Sequence, residues 1–375
     1  MRFLRAVCRI VFSLTFIFSG ILKLIDPVGT GLKIHEYLGF LHLDFLAPAA
    51  VGLGIALSLL EFVVGISVLI GLRMRFFTTI GLCLTSFFTL LTLYLALFNP
   101  ISDCGCFGEA VHLTNWQTFF KNVGLLLLIV FIFICRGKAT RIAPAPMEWG
   151  FVGLFALLGL AVALQARIGI PQVDFTAYNI GREFSQEDDA VYETIFHYSK
   201  DGKVEEFTLD NLPDSTWTFV DSSTELVGGS PESAQLDFRL EKMEGRFFAA
   251  TIYDPSGLDR AKLMEIEALR EEAEMLGEEF VIYSVSGDYA IADRKSMMTL
   301  NRSNGGVTYF NDGEIIRKWS AWSLDKLDIG QVVSEDSDVL VLKHRVHEQI
   351  YISLIFFIIL ALIALVRLCC KMFIK

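Results

Sequence analysis

The sequence predicts an α-helical membrane bundle of six spans, with one α/β soluble domain inserted before the last span. Two observations carry this prediction. First, 53% of the 375 residues are apolar and the mean hydropathy is +0.50, which excludes a purely soluble enzyme and a disordered chain. Second, residues 170–346 hold 35 acidic and 17 basic residues, whereas the rest of the chain holds 8 and 15. The acidic part therefore offers no basic surface for nucleic acid.

Six apolar segments are long enough to cross a bilayer and to be surrounded by membrane lipid. They lie at about 4–25, 47–72, 76–99, 113–135, 149–167 and 349–366. The first has the shortest uncharged run and spans only if Arg9 and Lys23 extend to the two interfaces. We interpret it as an uncleaved anchor, because no small-residue cleavage site follows it and further spans do.

Basic residues at the span ends predict the orientation. Eleven of them fall on one side of the membrane if the chain crosses it six times: Arg2, Arg5, Arg9, Arg73, Arg75, Arg136, Lys138, Arg141, Arg367, Lys371 and Lys375. The positive-inside rule then places both termini in the cytoplasm. It places loop 26–46, loop 100–112 and residues 170–346 in the periplasm or exoplasm, so that the chain lies in the inner (plasma) membrane.

These boundaries divide the chain into five parts. Residues 1–141 form a four-helix membrane domain and residues 142–169 a fifth transmembrane helix. A β-rich segment at 170–234 and an α/β domain at 235–346 lie outside the membrane. Residues 347–375 form the sixth transmembrane helix and a tail.

Two of the seven cysteines are predicted to carry chemistry. Cys104 and Cys106 follow the third span, and Gly105 between them permits a tight turn in which the two sulfurs meet. A bridge over so short a loop is strained, and strained exposed disulfides exchange readily. Two alternatives stay open: a static bridge, and a metal site in which His112 adds a third ligand to the two thiolates. We favour the redox-active dithiol and predict no metal.

One charged residue lies deep in a predicted span. Glu61 is placed near the middle of the second span, where an ionisable group is costly and by default a functional candidate. Its role is either proton acceptor for a reduced quinone or polar tether to another helix. Lys23 is the partner by sign, but the two residues are predicted at depths several turns apart. A direct pair therefore needs a bent or shifted helix.

The soluble part shows the patterns of strands and one helix. Thr194–Ser199, Lys203–Leu209 and Trp217–Asp221 are predicted as strands, the first two joined through Asp201-Gly202. Strand Arg246–Tyr253, helix Leu258–Leu276, strand Glu279–Ser286 and a hairpin of Gly306–Phe310 with Glu314–Lys318 follow, and Ser323–Leu327 is a short helix. Gly277 is predicted to end the long helix.

The first third of the chain resembles a known family. Cys104–Glu109 (Cys-Gly-Cys-Phe-Gly-Glu), Ser19–Pro27, and Glu61 with Gly65 and Gly71 are similar to the MauE-like (methylamine utilisation) branch of the DoxX membrane family over residues 1–135. The resemblance implies a four-helix bundle that acts in periplasmic disulfide formation, in the manner of DsbB, with a quinone as acceptor by analogy. It implies a thioredoxin-like or cysteine-containing periplasmic client. The two extra spans and the large soluble domain depart from that family.

The strand–helix–strand–hairpin order of residues 235–346 resembles a thioredoxin-like fold. Asp254–Asp259 stands where that family carries its Cys-x-x-Cys motif, and Gly305 stands where its cis-proline is expected. With no cysteine in residues 170–346, the resemblance implies a degenerate domain that binds rather than exchanges.

Three functions follow from the sequence. The leading hypothesis is a membrane thiol–disulfide redox protein using Cys104 and Cys106, with Glu61 and Lys23 as further site residues. The second is a non-enzymatic envelope assembly or client-binding scaffold whose thioredoxin-like arm is redox-inactive. The third, permitted by the DoxX resemblance alone, is an accessory subunit of a respiratory quinol oxidase.

Overall fold

The computed structural model describes residues 2–98, 104–111, 113–138, 142–182, 191–200, 203–207, 213, 217–228 and 245–373. Within these ranges six helices are long and apolar enough to cross a membrane: Phe3–Ile25, Phe45–Ile70, Met74–Phe98, Asn115–Cys135, Ala145–Ile168 and Ser337–Met372. The predicted number of spans and their order are confirmed.

The membrane part is built from α1 (Arg2–Ile25), α2 (Pro27–Phe40), α3 (Ala50–Ile70), α4 (Met74–Phe98), α5 (Asn115–Cys135) and α6 (Ala145–Ile168). Helix α1 packs against α3 and α5, and α4 packs against α5. Helix α6 packs against both α1 and α3, so the fifth span belongs to the bundle rather than serving only as a tether.

Helix α2 differs from the sequence expectation, which treats residues 26–46 as a loop between two spans. Its start nevertheless carries two ordinary helix signals. The Asp26 side chain accepts a hydrogen bond from the Gly29 N–H, and Pro27 occupies the first helical position. The helix packs along the first turns of α3, where a Cβ atom on Gly54 would lie 3.1 Å from the Thr30 side chain.

The soluble part contains two sheets. The first joins β2 (Val191–Lys200), β3 (Lys203–Phe207) and β4 (Thr218–Gly228) in the order β3-β2-β4, all antiparallel. The predicted hairpin is confirmed in its two strands, while its turn at 201–202 and residues 208–209 lie outside the described residues. The third strand runs seven residues further than predicted, to Gly228.

The second sheet has the order β7-β6-β5-β8-β9. Its strands are β5 (Arg246–Ile252), β6 (Glu279–Ser284), β7 (Ala290–Ile291), β8 (Gly306–Asn311) and β9 (Glu314–Trp319). Strand β6 runs parallel to β5, whereas β8 is antiparallel to both β5 and β9. The predicted strands and their pairing as a hairpin are confirmed.

Helix α7 (Arg260–Met275) covers this sheet and is followed by α8 (Arg294–Leu300) and α9 (Ile329–Ser334). Ile266, Leu269 and Ala273 of α7 are buried, as their helical spacing predicts. The helix ends before Gly277, as predicted. Residues Ser323–Leu327, predicted as a helix, lie largely in a 3₁₀ turn at Ala321–Lys326.

The last helix, α10 (Ser337–Phe373), is a single element of 37 residues. It begins well before the predicted sixth span, and its first turns pack against β9 of the soluble sheet. The span and the soluble domain are therefore joined by continuous helix rather than by a loop.

Close contact of α1 with α3 depends on glycines. A Cβ atom at Gly20 would lie 2.7 Å from the Phe62 nitrogen and 2.8 Å from the Ser58 carbonyl oxygen, and one at Gly65 would lie 2.8 Å from the Ile17 nitrogen. These neighbours are backbone atoms that cannot rotate away. Small residues are what allow two membrane helices to approach so closely.

Gly20→Ala should therefore lower the stability of the bundle by about 1–3 kcal/mol, the usual cost of overpacking. Gly52→Ala is the matched control, since no atom lies within 4 Å of the added Cβ, and it should be neutral or slightly stabilising. Thermal unfolding of the two purified variants in the same detergent checks the difference. Equal midpoints for the two variants would contradict the close contact.

Candidate functional site

The two cysteines meet in the connection between α4 and α5. The Sγ atoms of Cys104 and Cys106 lie 2.9 Å apart, so a shift of about 0.9 Å brings them to the length of a disulfide bond. Gly105 has a φ of +62°, a conformation that glycine adopts without strain. Cys106 opens a short extended segment, β1 (Cys106–Glu109).

Three helices hold this loop through its backbone and its aromatic side chain. The Tyr37 hydroxyl of α2 donates to the Cys104 carbonyl oxygen at 2.8 Å. Ser19 Oγ of α1 lies 2.7 Å from the Cys106 carbonyl oxygen. Phe107 contacts Phe18 of α1, and the Lys121 ammonium of α5 lies 4.3 Å above the centre of its ring. The position of the two sulfurs is therefore set by the bundle.

Lys23 and Glu61 form a direct ion pair beside the loop. The Lys23 Nζ lies 2.8 Å and 2.9 Å from the two Glu61 oxygens, and the side chains are only 8% and 4% exposed. The expectation that these residues lie several turns apart in depth is wrong. Gly20 of α1 lies against Ser58 and Phe62 of α3, so a side chain three positions further along α1 reaches Glu61.

Ser19 links this ion pair to the dithiol loop. Its Oγ lies 2.8 Å from Glu61 Oε2 as well as 2.7 Å from the Cys106 carbonyl oxygen. A serine hydroxyl has one proton to donate, and either oxygen can receive it. The Ser19 side chain therefore lies between the Glu61 carboxylate and the cysteine loop and contacts both.

The cysteines lie in the wall of a cavity inside the bundle. Its volume is about 210 Å³, and most of its surface is apolar. The lining residues come from α1, α2, α3, α4, the cysteine loop and α5: Thr15, Phe16, Ser19, Lys23, Thr30, Lys33, Ile34, Tyr37, Leu38, Leu41, Leu57, Glu61, Phe87, Phe88, Leu91, Cys104, Gly105, Cys106, Phe107, Lys121, Asn122 and Leu125. All four predicted site residues, Cys104, Cys106, Glu61 and Lys23, thus face one apolar space.

The two thiols are electrostatically unequal. The hydrogen bond from the Cys104 S–H, together with the charges of Lys121 and Lys23, lowers the pKa of Cys106 to about 7 against the opposing effects of burial and Glu61. The same hydrogen bond, burial and the Cys106 charge raise the pKa of Cys104. In the reduced pair the first negative charge is therefore favoured on Cys106 rather than on Cys104.

The metal alternative finds no added support in the described part of the chain. There, no group of three or more histidine, cysteine, aspartate or glutamate side chains is placed to hold an ion. His112, the third ligand considered for Cys104 and Cys106, lies outside the described residues.

Sequence reasoning missed several residues of this site. Tyr37 and Lys33 belong to α2, which the sequence patterns do not predict, and Lys121 stands near a span end with no further signal. Ser19 lies in the family motif, which gives it no role. The available signal for Ser19 was its position: it is a polar residue one turn before Lys23 and next to Gly20, a small residue of the kind that marks a close helix contact.

Comparison with known proteins supports part of this picture. A family model described as methylamine utilisation protein MauE matches residues 1–135, which makes the first 135 residues a MauE-like membrane segment. A model of a domain of unknown function, DUF8463, matches residues 192–228, the first soluble sheet. No curated protein and no solved structure matches the chain. The DoxX and thioredoxin-like resemblances stay predictions.

The Lys23–Glu61 pair should show the energetics of a buried ion pair. Removing one partner leaves an uncompensated charge, so Lys23→Met and Glu61→Gln should each cost about 3–5 kcal/mol. The double change Lys23→Met with Glu61→Leu should recover most of that loss, because no charge is then left buried. Thermal unfolding of the full chain checks the three variants.

The control for these variants is Lys262→Met. It breaks the Lys262–Glu265 ion pair, which has the same 2.8 Å length but half-buried side chains on α7. The free energy of unfolding should then fall by less than about 1 kcal/mol. A double variant that is less stable than both single variants would contradict the assignment.

The inequality of the thiols predicts a pH profile for the reduced protein. Because the thiolate is the reactive form, alkylation of Cys106 should rise with pH and reach half its maximum near pH 7. Cys104 should react only at higher pH. Lys121→Met should move the Cys106 midpoint upward, whereas Lys326→Met, in the distant soluble domain, should not. Mass spectrometry of the alkylated peptides across pH checks this, and equal midpoints for the two cysteines would refute it.

Proposed function

We propose that the MauE-like segment is a membrane thiol–disulfide oxidoreductase that exchanges disulfides through Cys104 and Cys106. The single observation that carries the proposal is the 2.9 Å approach of the two sulfurs in the wall of an apolar cavity. Two cations beside one sulfur stabilise its thiolate. An exchanging pair requires such a thiolate, whereas a static bridge does not.

The inequality of the thiols gives the exchange a direction. The thiol of lower pKa is the better leaving group, so the thiolate of a dithiol partner attacks Cys104 Sγ in the bridged form. The S–S bond breaks, its electron pair stays on Cys106, and a partner–Cys104 mixed disulfide forms. The partner's second thiolate then attacks the partner sulfur of that bond. The partner leaves as a disulfide, Cys104 and Cys106 are reduced by two electrons, and the two partner thiol protons are released to the pair or to solvent.

The cavity suits an aromatic electron acceptor of the quinone class. A cavity of about 150 Å³ accommodates a benzene ring, and this partly open one, whose surface is mostly apolar, measures about 210 Å³. Phe87, Phe88 and Leu91 would hold the ring, and Asn122 is a nearby polar side chain. Such an acceptor supplies a sink for the two electrons and two protons that the cysteine pair gives up when its disulfide forms again.

Within this proposal Glu61 is the proton acceptor and Lys23 its counter-ion. The Lys23 Nζ lies 2.8 Å from Glu61 Oε1, and Ser19 connects the Glu61 carboxylate to the Cys106 backbone. A carboxylate is able to take up a proton in such a place only if it is first held charged, which in a membrane interior requires a paired cation.

The compartment of the dithiol follows from the charge distribution. With both termini in the cytoplasm, the cysteine loop and residues 170–346 face the periplasm or exoplasm of the inner (plasma) membrane. The four basic clusters at the opposite span ends support this orientation. That compartment is the oxidising one in which disulfides are made, and the partner is then a thioredoxin-like or other cysteine-containing protein.

The soluble domain is assigned as a degenerate thioredoxin-like arm. The order β6-β5-β8-β9, with a parallel first pair and an antiparallel hairpin, supports this assignment. Asp254–Asp259, after β5, contains no thiol, so the arm binds or positions and does not exchange. Methylamine metabolism is not part of the proposal, because the added arm and spans depart from the matched family.

Serine substitutions test the proposal and its direction. Cys106→Ser leaves no bridge for a dithiol partner to open, so the exchange is followed in reverse: the Cys104 thiolate attacks the disulfide of the oxidised partner and releases one partner thiolate, and because no Cys106 can then displace the partner, a mixed disulfide on Cys104 should accumulate. Cys104→Ser removes the attacked sulfur, so no such adduct should form. Both changes should abolish oxidation of a dithiol partner, while Cys83→Ser, at an exposed cysteine of α4, should leave it unchanged. Non-reducing electrophoresis after acid quenching and alkylation of whole cells checks these outcomes.

Full function of the double serine variant would remove the redox proposal. The scaffold function would then be favoured, with the cysteine-free arm as the client-binding element. A pair that stays reduced under all conditions, or one that resists a mild dithiol, would have the same consequence.

A further inference from the structure

One arginine of the soluble domain is buried against the membrane segment. Arg302, which follows α8, is 4% exposed. Its Nη2 lies 2.7 Å from Asp26 Oδ2 and 2.7 Å from Glu109 Oε2, and its Nε lies 3.2 Å from Asp26 Oδ2. Its Nη1 donates to the Met298 carbonyl oxygen at 2.9 Å. Every nitrogen of the guanidinium therefore has a partner.

The two carboxylates belong to the elements that build the dithiol site. Asp26 lies three residues after Lys23 and caps the start of α2, the helix that carries Tyr37. Glu109 lies three residues after Cys106, at the end of β1. One side chain of the soluble domain thus connects the corner between α1 and α2 to the strand that carries Cys106.

The guanidinium offsets the repulsion between the two carboxylates. Both are largely buried, at 5% and 16% side-chain exposure, and two ionised carboxylates at such a distance repel one another. Burial, with the neighbouring Asp26 and Asp174 charges, raises the pKa of Glu109 although Arg302 opposes the shift. Loss of the cation therefore removes the link that ties the Glu109 strand to Asp26.

Arg302 is itself firmly placed by its own domain. The Tyr253 hydroxyl at the end of β5 donates to the Arg302 carbonyl oxygen at 3.0 Å. The next loop residues are tied down by two hydrogen bonds between Asn304 and the backbone of Asp254, at 3.0 and 2.7 Å. The backbone of Arg302 is thus held by the soluble domain, and its guanidinium extends from there to the two carboxylates of the membrane segment.

We infer that Arg302 is a positioning residue for the dithiol: through Glu109 and Asp26 it holds Cys106 beside the cations of the bundle. This inference deepens the proposed function and rests on it for its biological meaning. The groups that then face Cys106 are Cys104 in the same loop, Lys23 of α1, Glu61 of α3 and Lys121 of α5. Tyr37 and Lys33 of α2 contact the other half of the loop, at Cys104 and Gly105.

The test is the alkylation of Cys106 in the reduced, full-length protein, followed by peptide mass spectrometry across pH with iodoacetamide as the probe. In Arg302→Gln, the part of the loop that carries Cys106 should move away from the ammonium groups of Lys23 and Lys121. The midpoint of the Cys106 profile should then rise by about one unit or more, toward the ordinary thiol value of about 8.5. Arg302→Lys keeps the charge but not the fork that reaches two carboxylates, so its midpoint should lie between those of Arg302→Gln and the unaltered protein.

Arg246→Gln separates positioning from a general loss of stability. Arg246 is another cation of the soluble sheet and pairs at 2.7 Å with Glu278, whose side chain is 8% exposed, at the end of β5 opposite to the Arg302 contact. Its loss should lower the thermal midpoint of the protein while leaving the Cys106 profile in place. A rise of the Cys106 midpoint equal to that of Arg302→Gln would overturn the inference.

A double-mutant cycle tests the route through Glu109. Glu109→Gln alone should raise the Cys106 midpoint less than Arg302→Gln does, and the double variant should show no more than the Arg302→Gln effect, because both changes remove one interaction. Additive shifts, or no shift in Arg302→Gln, would overturn the inference. The readout needs only reduced thiols, so it stands even if the cysteine pair proves unable to oxidise a partner, which the serine variants decide separately.

Discussion

The arrangement of the membrane segment depends on the pairing of one buried carboxylate. Glu61 lies inside a span, where an ionised group without a partner is costly, and Lys23 satisfies it at 2.8 Å. That contact requires α1 and α3 to lie against each other, which the glycines at positions 20 and 65 permit. The same approach brings Ser19 of α1 between Glu61 and the Cys106 carbonyl oxygen. The position of the cysteine loop on the bundle thus follows from the packing that pairs the Glu61 carboxylate with Lys23.

The same physical constraint operates a second time at the boundary with the soluble domain. There the buried charges are Arg302, Asp26 and Glu109, and the cation belongs to the soluble domain. Asp26 lies one turn beyond Lys23 along the chain, so the end of α1 takes part in both groups of charges. The cysteine loop lies between them, held by Ser19 on the Glu61 side and continued by Glu109 on the other. Buried charges that require their partners are well suited to fix a loop, because their separation is strongly unfavourable.

Local patterns predict the elements, and tertiary packing decides the site. The six spans are predictable because charge-free length is a strong signal, and β5, α7 and the β8–β9 hairpin because their apolar periodicity is regular. Helix α2 is missed although Asp26 and Pro27 carry a helix start, since a segment between two spans is assumed to be a loop. The sequence places Lys23 and Glu61 at unequal depths, because each depth is counted separately along its own predicted span. The Arg302–Glu109 contact joins residues 193 positions apart, and no local pattern encodes such a contact.

The two halves of the chain therefore act on different properties of one cysteine pair. The cations that distinguish Cys106 from Cys104 come from α1 and α5, so the membrane segment determines which sulfur carries the charge. The position of the loop relative to those cations is limited by Arg302, which comes from a domain without a single cysteine. A second thiol pair in that domain, close to Cys104 and Cys106, would compete for the same disulfide. In the proposed function, a domain that contacts the loop through the Arg302–Glu109 pair would restrain the dithiol, and the exchange chemistry would be left to a separate partner.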